Sequence, residues 1–88
     1  MTEKLQALRG QIDQIDAEIL PLFEARMKLA RQVALFKAEQ QLDILQQDRE
    51  YEVIRHAKSL VSPELQAEAE TLMRTLMALS RQVQEKTV

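Results

Sequence analysis

Between Leu5 and Phe36 the positions 5, 8, 12, 15, 19, 22, 26, 29, 33 and 36 repeat at alternating spacings of three and four. That is the spacing of a buried helical seam. Nine of the ten are Leu, Ile, Val or Phe, and the tenth is Arg26. The ladder predicts a first helix from about Glu3 to about Glu39. Gly10 within it costs only ~1 kcal/mol. Pro21 removes one backbone hydrogen bond, to the carbonyl of Ala17, and crowds that carbonyl. Because the ladder keeps its phase across Pro21, the expectation is one helix bent there rather than two.

Residues Gln40 to Ile44 are polar and irregular enough for a loop. A second helix, about 46–60, carries Val53, Ile54, Ala57 and Leu60 on one stripe. Ser62-Pro63-Glu64 reads as a helix start, with Ser62 as N-cap, Pro63 at the first position and an acid at the positive dipole end. The third helix is expected over about 63–84, with Leu65, Ala69, Leu72, Met73, Leu76 and Val83 inward and Ser80 on the same stripe. The fold class is therefore all-α: a three-helix subunit with one very long N-terminal helix, in a single domain over residues 1–88.

That first helix would be roughly 55 Å long, whereas a compact chain of this length has a radius of gyration near 12 Å. One such helix cannot bury its seam within its own subunit. An intertwined homodimer, in which two long helices cover each other's seams, is the expected remedy.

Composition narrows the function. One Gly and two Pro in 88 residues leave little for tight turns. Without Cys there is no disulfide scaffold and no thiolate metal site. Twelve basic residues are dispersed among fourteen acidic ones for a net charge of −2, and there is no Trp, so neither a basic face nor stacking aromatics point to nucleic acid. No apolar run approaches a membrane span, and the polar start Met1-Thr2-Glu3-Lys4 lacks the apolar stretch of a signal peptide. A soluble, cytoplasmic protein is expected. His56 stands alone, so a Ser-His-Asp arrangement or a multi-His metal site is not credible, and a solvated surface position suits it.

The candidate chemistry lies in polar residues on inward stripes. Arg26 cannot lose its charge, and burying it is costly unless an anion meets it. Lys37 follows by eleven residues, about three turns, on the same face and roughly 16 Å away. Arg9 precedes Arg26 by about 25 Å along the axis and about 100° around it, so only a partner chain's Arg9 could reach the same anion. Glu50 sits on the second helix's stripe, and Ser80 and Gln84 are neighbours on the third. Taken singly each has a plainer reading. Arg26 could reach solvent or pair with Glu50, Lys37 and Arg9 could be surface charges, Glu50 could be half-exposed, and Ser80 and Gln84 could be ordinary interface polars.

Leu8-Arg9-Gly10-Gln11-Ile12-Asp13-Gln14-Ile15-Asp16, then Glu24-Ala25-Arg26, Lys37, Arg49-Glu50, and Ser80 with Gln84 together resemble the all-helical chorismate mutase pattern over nearly the whole chain. The resemblance implies an intertwined homodimer with two equivalent active sites, each completed by the partner's Arg9. It implies chorismate as substrate and its rearrangement to prephenate, in phenylalanine and tyrosine biosynthesis, without cofactor or metal. By the same likeness Arg26 and the partner's Arg9 would clamp the carboxylates, and Lys37 would bridge a carboxylate and the ether oxygen. Gln84 would donate to that oxygen, Glu50 would take the ring hydroxyl, Ser80 would touch the ring carboxylate, and Arg49 would help through its backbone.

The chain departs from the pattern at Gln46, where many members carry an Asp three residues before the Arg of the pair; Asp48 lies one residue before it. Gln46 is the candidate for that loop contact, and Gln82 is an alternative to Gln84. Two other readings stand beside the mutase: an isochorismate-pyruvate lyase with a related helical dimer, and a non-catalytic helical dimerisation or regulatory module. Docking onto another shikimate-pathway enzyme is a further partner to consider.

Overall fold

The computed structural model of the chain describes residues 2–88, so Met1 of the polar start lies outside the described residues. Three helices make up the fold: α1 (Thr2–Glu39), α2 (Gln47–Ser59) and α3 (Gln66–Thr87). A single 3-10 turn, Pro63–Leu65, precedes α3. Among the described residues there is no strand, and no helix is long and apolar enough to cross a membrane. The molecule measures 58 × 26 × 15 Å with a radius of gyration of 16.5 Å, its long axis set by α1.

α1 runs unbroken through Pro21. It stops at a left-handed residue, Gln41, with φ 56°. There the amide of Leu42 bonds back to the Lys37 carbonyl at 2.8 Å, and that of Gln41 to Ala38 at 3.2 Å. This is the double closure that usually places Gly at the left-handed position. The reversal brings residues 42–46 back over the last turn of α1, where Lys37 Nζ donates to the Ile44 carbonyl at 2.7 Å. α2 then starts at Gln47 behind the N-cap residue Gln46, whose side chain makes no cap bond but donates to the Asp43 carbonyl at 3.1 Å. Asp48 and Glu50 lie in the first turn, favourable to the helix dipole.

α3 packs on both other helices. Lys58 of α2 pairs with Glu70 of α3 at 2.8 Å, and Arg74 holds the same carboxylate from one turn on. Gln66 Nε2 adds a bond to the Lys58 carbonyl at 3.0 Å. The buried apolar core is small, formed by Met27, Ala30, Ala34, Ile54 and Met77.

Several details differ from the sequence expectation. Ser62 occupies the capping position, but its hydroxyl caps no backbone amide and lies 3.4 Å from Glu64 Oε1. With Pro63 next, the first turn tightens into 3-10 geometry before α3 proper begins at Gln66, and α3 continues to Thr87. Leu60, Leu65 and Leu72, expected inward, are exposed. Most of the α1 ladder is exposed too, including Ile12 at 56% and Leu22 at 69%. Two physical causes act here. A seven-residue repeat slips about 20° per heptad against a straight helix, close to a quarter turn over the length of this ladder. In the C-terminal half the face covered by α3 is therefore Met27, Ala30 and Ala34, beside the rungs Leu29 and Val33 rather than on them. In the N-terminal half the rungs point the right way, since Ile12 and Ala30 are about five whole turns apart. There α1 simply extends beyond the other two helices.

Candidate active site

One cavity of about 270 Å³ opens between the C-terminal half of α1, the 42–46 loop, the start of α2 and the end of α3. α1 contributes Arg26 and Lys37, the loop and α2 contribute Gln46, Arg49 and Glu50, and α3 contributes Arg81 and Gln84. Apolar side chains fill the spaces between them, Val33, Ile44, Val53 and Met77 among them. Local geometry places each group. Arg26 and Lys37 lie eleven residues apart on one helical face, the left-handed turn at Gln41 returns the loop over Lys37, and Gln84 is one turn beyond Ser80.

Arg26 Nη1 donates to Ser80 Oγ at 2.6 Å. Ser80 is buried and does not line the cavity itself; it stands behind the guanidinium and also lies 3.9 Å from Met27 Sδ. Burial, and after it the charge of Arg49, push the Arg26 pKa below the ordinary guanidinium value. Arg26 stays charged, so this shift records stress on a cation that lacks an anion. Glu50 does not supply one. Its Oε2 accepts from Arg81 Nη1 in an ion pair between two mostly sheltered side chains.

Gln84 is buried, and its Oε1 has no hydrogen-bond partner. A buried, unpaired amide oxygen is unusual. Gln82, by contrast, is exposed and outside the cavity lining. Arg9 is exposed on the projecting half of α1, far from this cavity within its own chain. His56 is exposed on α2. Among the described residues no three His, Cys, Asp or Glu side chains gather as a metal site would require.

The lining carries four cations, Arg26, Lys37, Arg49 and Arg81, against the single acid Glu50. Such a concentration, in a chain of net charge −2, draws small anions. Apolar walls between the charges strengthen each interaction relative to water. Sequence reasoning did not single out Arg81. Its signal was present, since position 81 lies four after Met77 and three before Gln84, on one helical face with both. The apolar lining was equally hidden, because Val33 and Met77 read as ordinary core.

The family described as chorismate mutase type II matches residues 8–85, nearly the whole chain. A bifunctional chorismate mutase/prephenate dehydratase of Aquifex aeolicus (strain VF5) is 43% identical over 51 residues, covering 58% of this chain and 14% of the relative. The chain thus spans only a small part of that protein's length. No solved structure matches significantly.

Proposed function

The chain belongs to the chorismate mutase type II family, and we propose on that premise that its cavity converts chorismate to prephenate, a step toward phenylalanine and tyrosine in the cytoplasm. The observation that carries this reading is the convergence of Arg26, Lys37 and Arg49 with Glu50 and Gln84 on one small cavity.

The reaction is an intramolecular [3,3] rearrangement, in which the ether C–O bond breaks as a new C–C bond forms. No proton need move and no covalent intermediate is required. The protein has two tasks: to hold the compact diaxial conformer and to stabilise negative charge growing on the ether oxygen. Arg26, already anchored on Ser80, takes a substrate carboxylate through its remaining donors. That anion also relieves the repulsion between Arg26 and Arg49. Lys37 spends one ammonium proton on the Ile44 carbonyl, so two remain for a carboxylate and the ether oxygen. Gln84 donates its amide to the same oxygen, and Glu50 accepts the ring hydroxyl. Gln46, on the cavity rim, is the loop contact.

The functional unit in this reading is a homodimer. The bare ladder from Leu5 to Leu22 continues into an apolar groove lined by Ile19, Leu22, Phe23, Leu72 and Leu76. Covering the six exposed rungs would stabilise each chain by on the order of 5–10 kcal/mol. A partner's α1 laid antiparallel in this position would bring its Arg9 toward the cavity, which at about 270 Å³ is near the lower end for small-ligand sites and open on one side.

The test is incubation of the protein with chorismate and, separately, with isochorismate, and identification of the products. Prephenate is expected. Salicylate and pyruvate from isochorismate would instead indicate the lyase, and no consumption of either compound would indicate a non-catalytic dimerisation module.

A further inference from the structure

Glu50 presents a physical problem within its own cavity. It is the only acid in a lining with four cations, three of which the mutase reading requires for substrate or for support of the site. A Glu side chain has three rotatable bonds. A free carboxylate here would swing onto Arg26 or Arg49 and occupy the donors meant for the substrate's own carboxylates.

One side chain in the structure meets that carboxylate. Arg81, next to Ser80 on the last turns of α3, donates from Nη1 to Glu50 Oε2. Both partners are sheltered, with side-chain exposures of 33% and 26%. Apart from Arg49, the neighbouring cations are engaged elsewhere: Lys58 and Arg74 on Glu70, Arg26 on Ser80, and Lys37 on the Ile44 carbonyl.

We propose that Arg81 is a positioning residue: it holds Glu50 through Oε2, leaves Oε1 for the substrate's ring hydroxyl, and keeps the carboxylate from pairing with Arg26 and Arg49. This rests on the mutase reading. Arg81 touches no reacting atom in this scheme. Its effect passes entirely through Glu50, and so it must disappear when Glu50 carries no charge.

The experiment is a kinetic cycle on the whole 88-residue chain with chorismate, using Arg81→Met, Glu50→Gln and the double variant. Arg81→Met keeps the apolar stem and removes the donors. It is expected to lower kcat/KM about tenfold, mostly through KM, as a charge-assisted bond of this kind implies. In the Glu50→Gln background the same change is expected to cost less than about twofold. Arg81→Lys, with its charge but a single-point donor, should recover part of the loss. Helicity and thermal midpoint are recorded throughout, and Arg81→Gln replaces Arg81→Met if the latter fails to fold. An equal loss in both Glu50 backgrounds, or unchanged kinetics in Arg81→Met, overturns the positioning role while leaving the mutase reading intact. Wild-type protein that forms no prephenate overturns the mutase reading and this proposal with it.

Discussion

Arg26 Nη1 lies 2.6 Å from Ser80 Oγ, joining residues 54 apart in sequence across the α1–α3 interface. The bond fixes one edge of the guanidinium and leaves the other free toward the cavity. In the proposed site a flexible side chain is thereby preset to receive an anion, with its rotamer freedom already reduced by folding. Ser80→Ala is expected to keep the helical fold and raise KM for chorismate severalfold, consistent with ~1 kcal/mol for one lost hydrogen bond, with kcat little changed. Steady-state kinetics beside a far-ultraviolet circular dichroism spectrum check this.

Lys37→Ala is expected to be far more damaging. In the proposed mechanism its ammonium faces the position where charge develops, and loss of such a donor costs ~3–4 kcal/mol, a hundredfold or more in kcat. The circular dichroism spectrum should remain helical, since only the Ile44 carbonyl contact is lost from the fold. Near-normal kcat in this variant would remove Lys37 from the mechanism.

Subunit mixing tests whether the site is shared between chains. Arg9→Ala and Lys37→Ala homodimers should each be nearly inactive. Co-refolded in equal amounts, they should regain about a quarter of wild-type activity, because half the dimers are mixed and each mixed dimer holds one intact site. No recovery would show that Arg9 and Lys37 act from the same chain. Light scattering at micromolar concentration should give the mass of two chains.

Glu70 provides a pH signature of the α2–α3 contact. Its bonds to Lys58 and then Arg74 hold its carboxyl below the ordinary range. A depressed folded-state pKa means that the ionised form favours folding, so the contribution is present above the unfolded Glu value of about 4.3 and lost as pH falls through the lower folded value. Glu70→Gln should therefore be less stable than wild type in urea at neutral pH, and the difference should shrink toward zero under acid conditions. A difference independent of pH would mean that the charge of Glu70 contributes nothing.

Gly10 adds a backbone test. A Cβ built there meets nothing within 4 Å in its own chain, and the position lies on the face of α1 opposite Ile12. Gly10→Ala should raise stability by ~1 kcal/mol through helix propensity. A loss of stability would place another chain against that face.

Much of the fold was legible in periodicity. The length of α1, its continuity through Pro21 and the all-helical class follow from a ladder that never breaks its three-and-four alternation, because helix formation needs only local hydrogen bonds and a consistent face. The inward stripes of α2 and α3 were less legible. Leu60, Leu65 and Leu72 carry the same apolar signal as Ile54 and Met77, and only the relative placement of helices decides which are covered. Capping likewise depended on backbone geometry, since Ser62 stands in the right place with its hydroxyl turned elsewhere.

The sequence by itself determined that three helices form, that Arg26 and Lys37 share a face, and that α1 is too long to bury its seam alone. Those properties depend on residue spacing along one chain, at a fixed rise and turn. Only the tertiary structure decided that Arg26 rests on Ser80, that Glu50 is held by Arg81, and that Lys37 is crossed by the returning loop. Each of these depends on how α3 lies against α1 and α2 and on a left-handed turn at Gln41. A long side chain in a crowded interface takes whichever partner the neighbouring helix presents, and residue spacing along its own helix does not specify that partner.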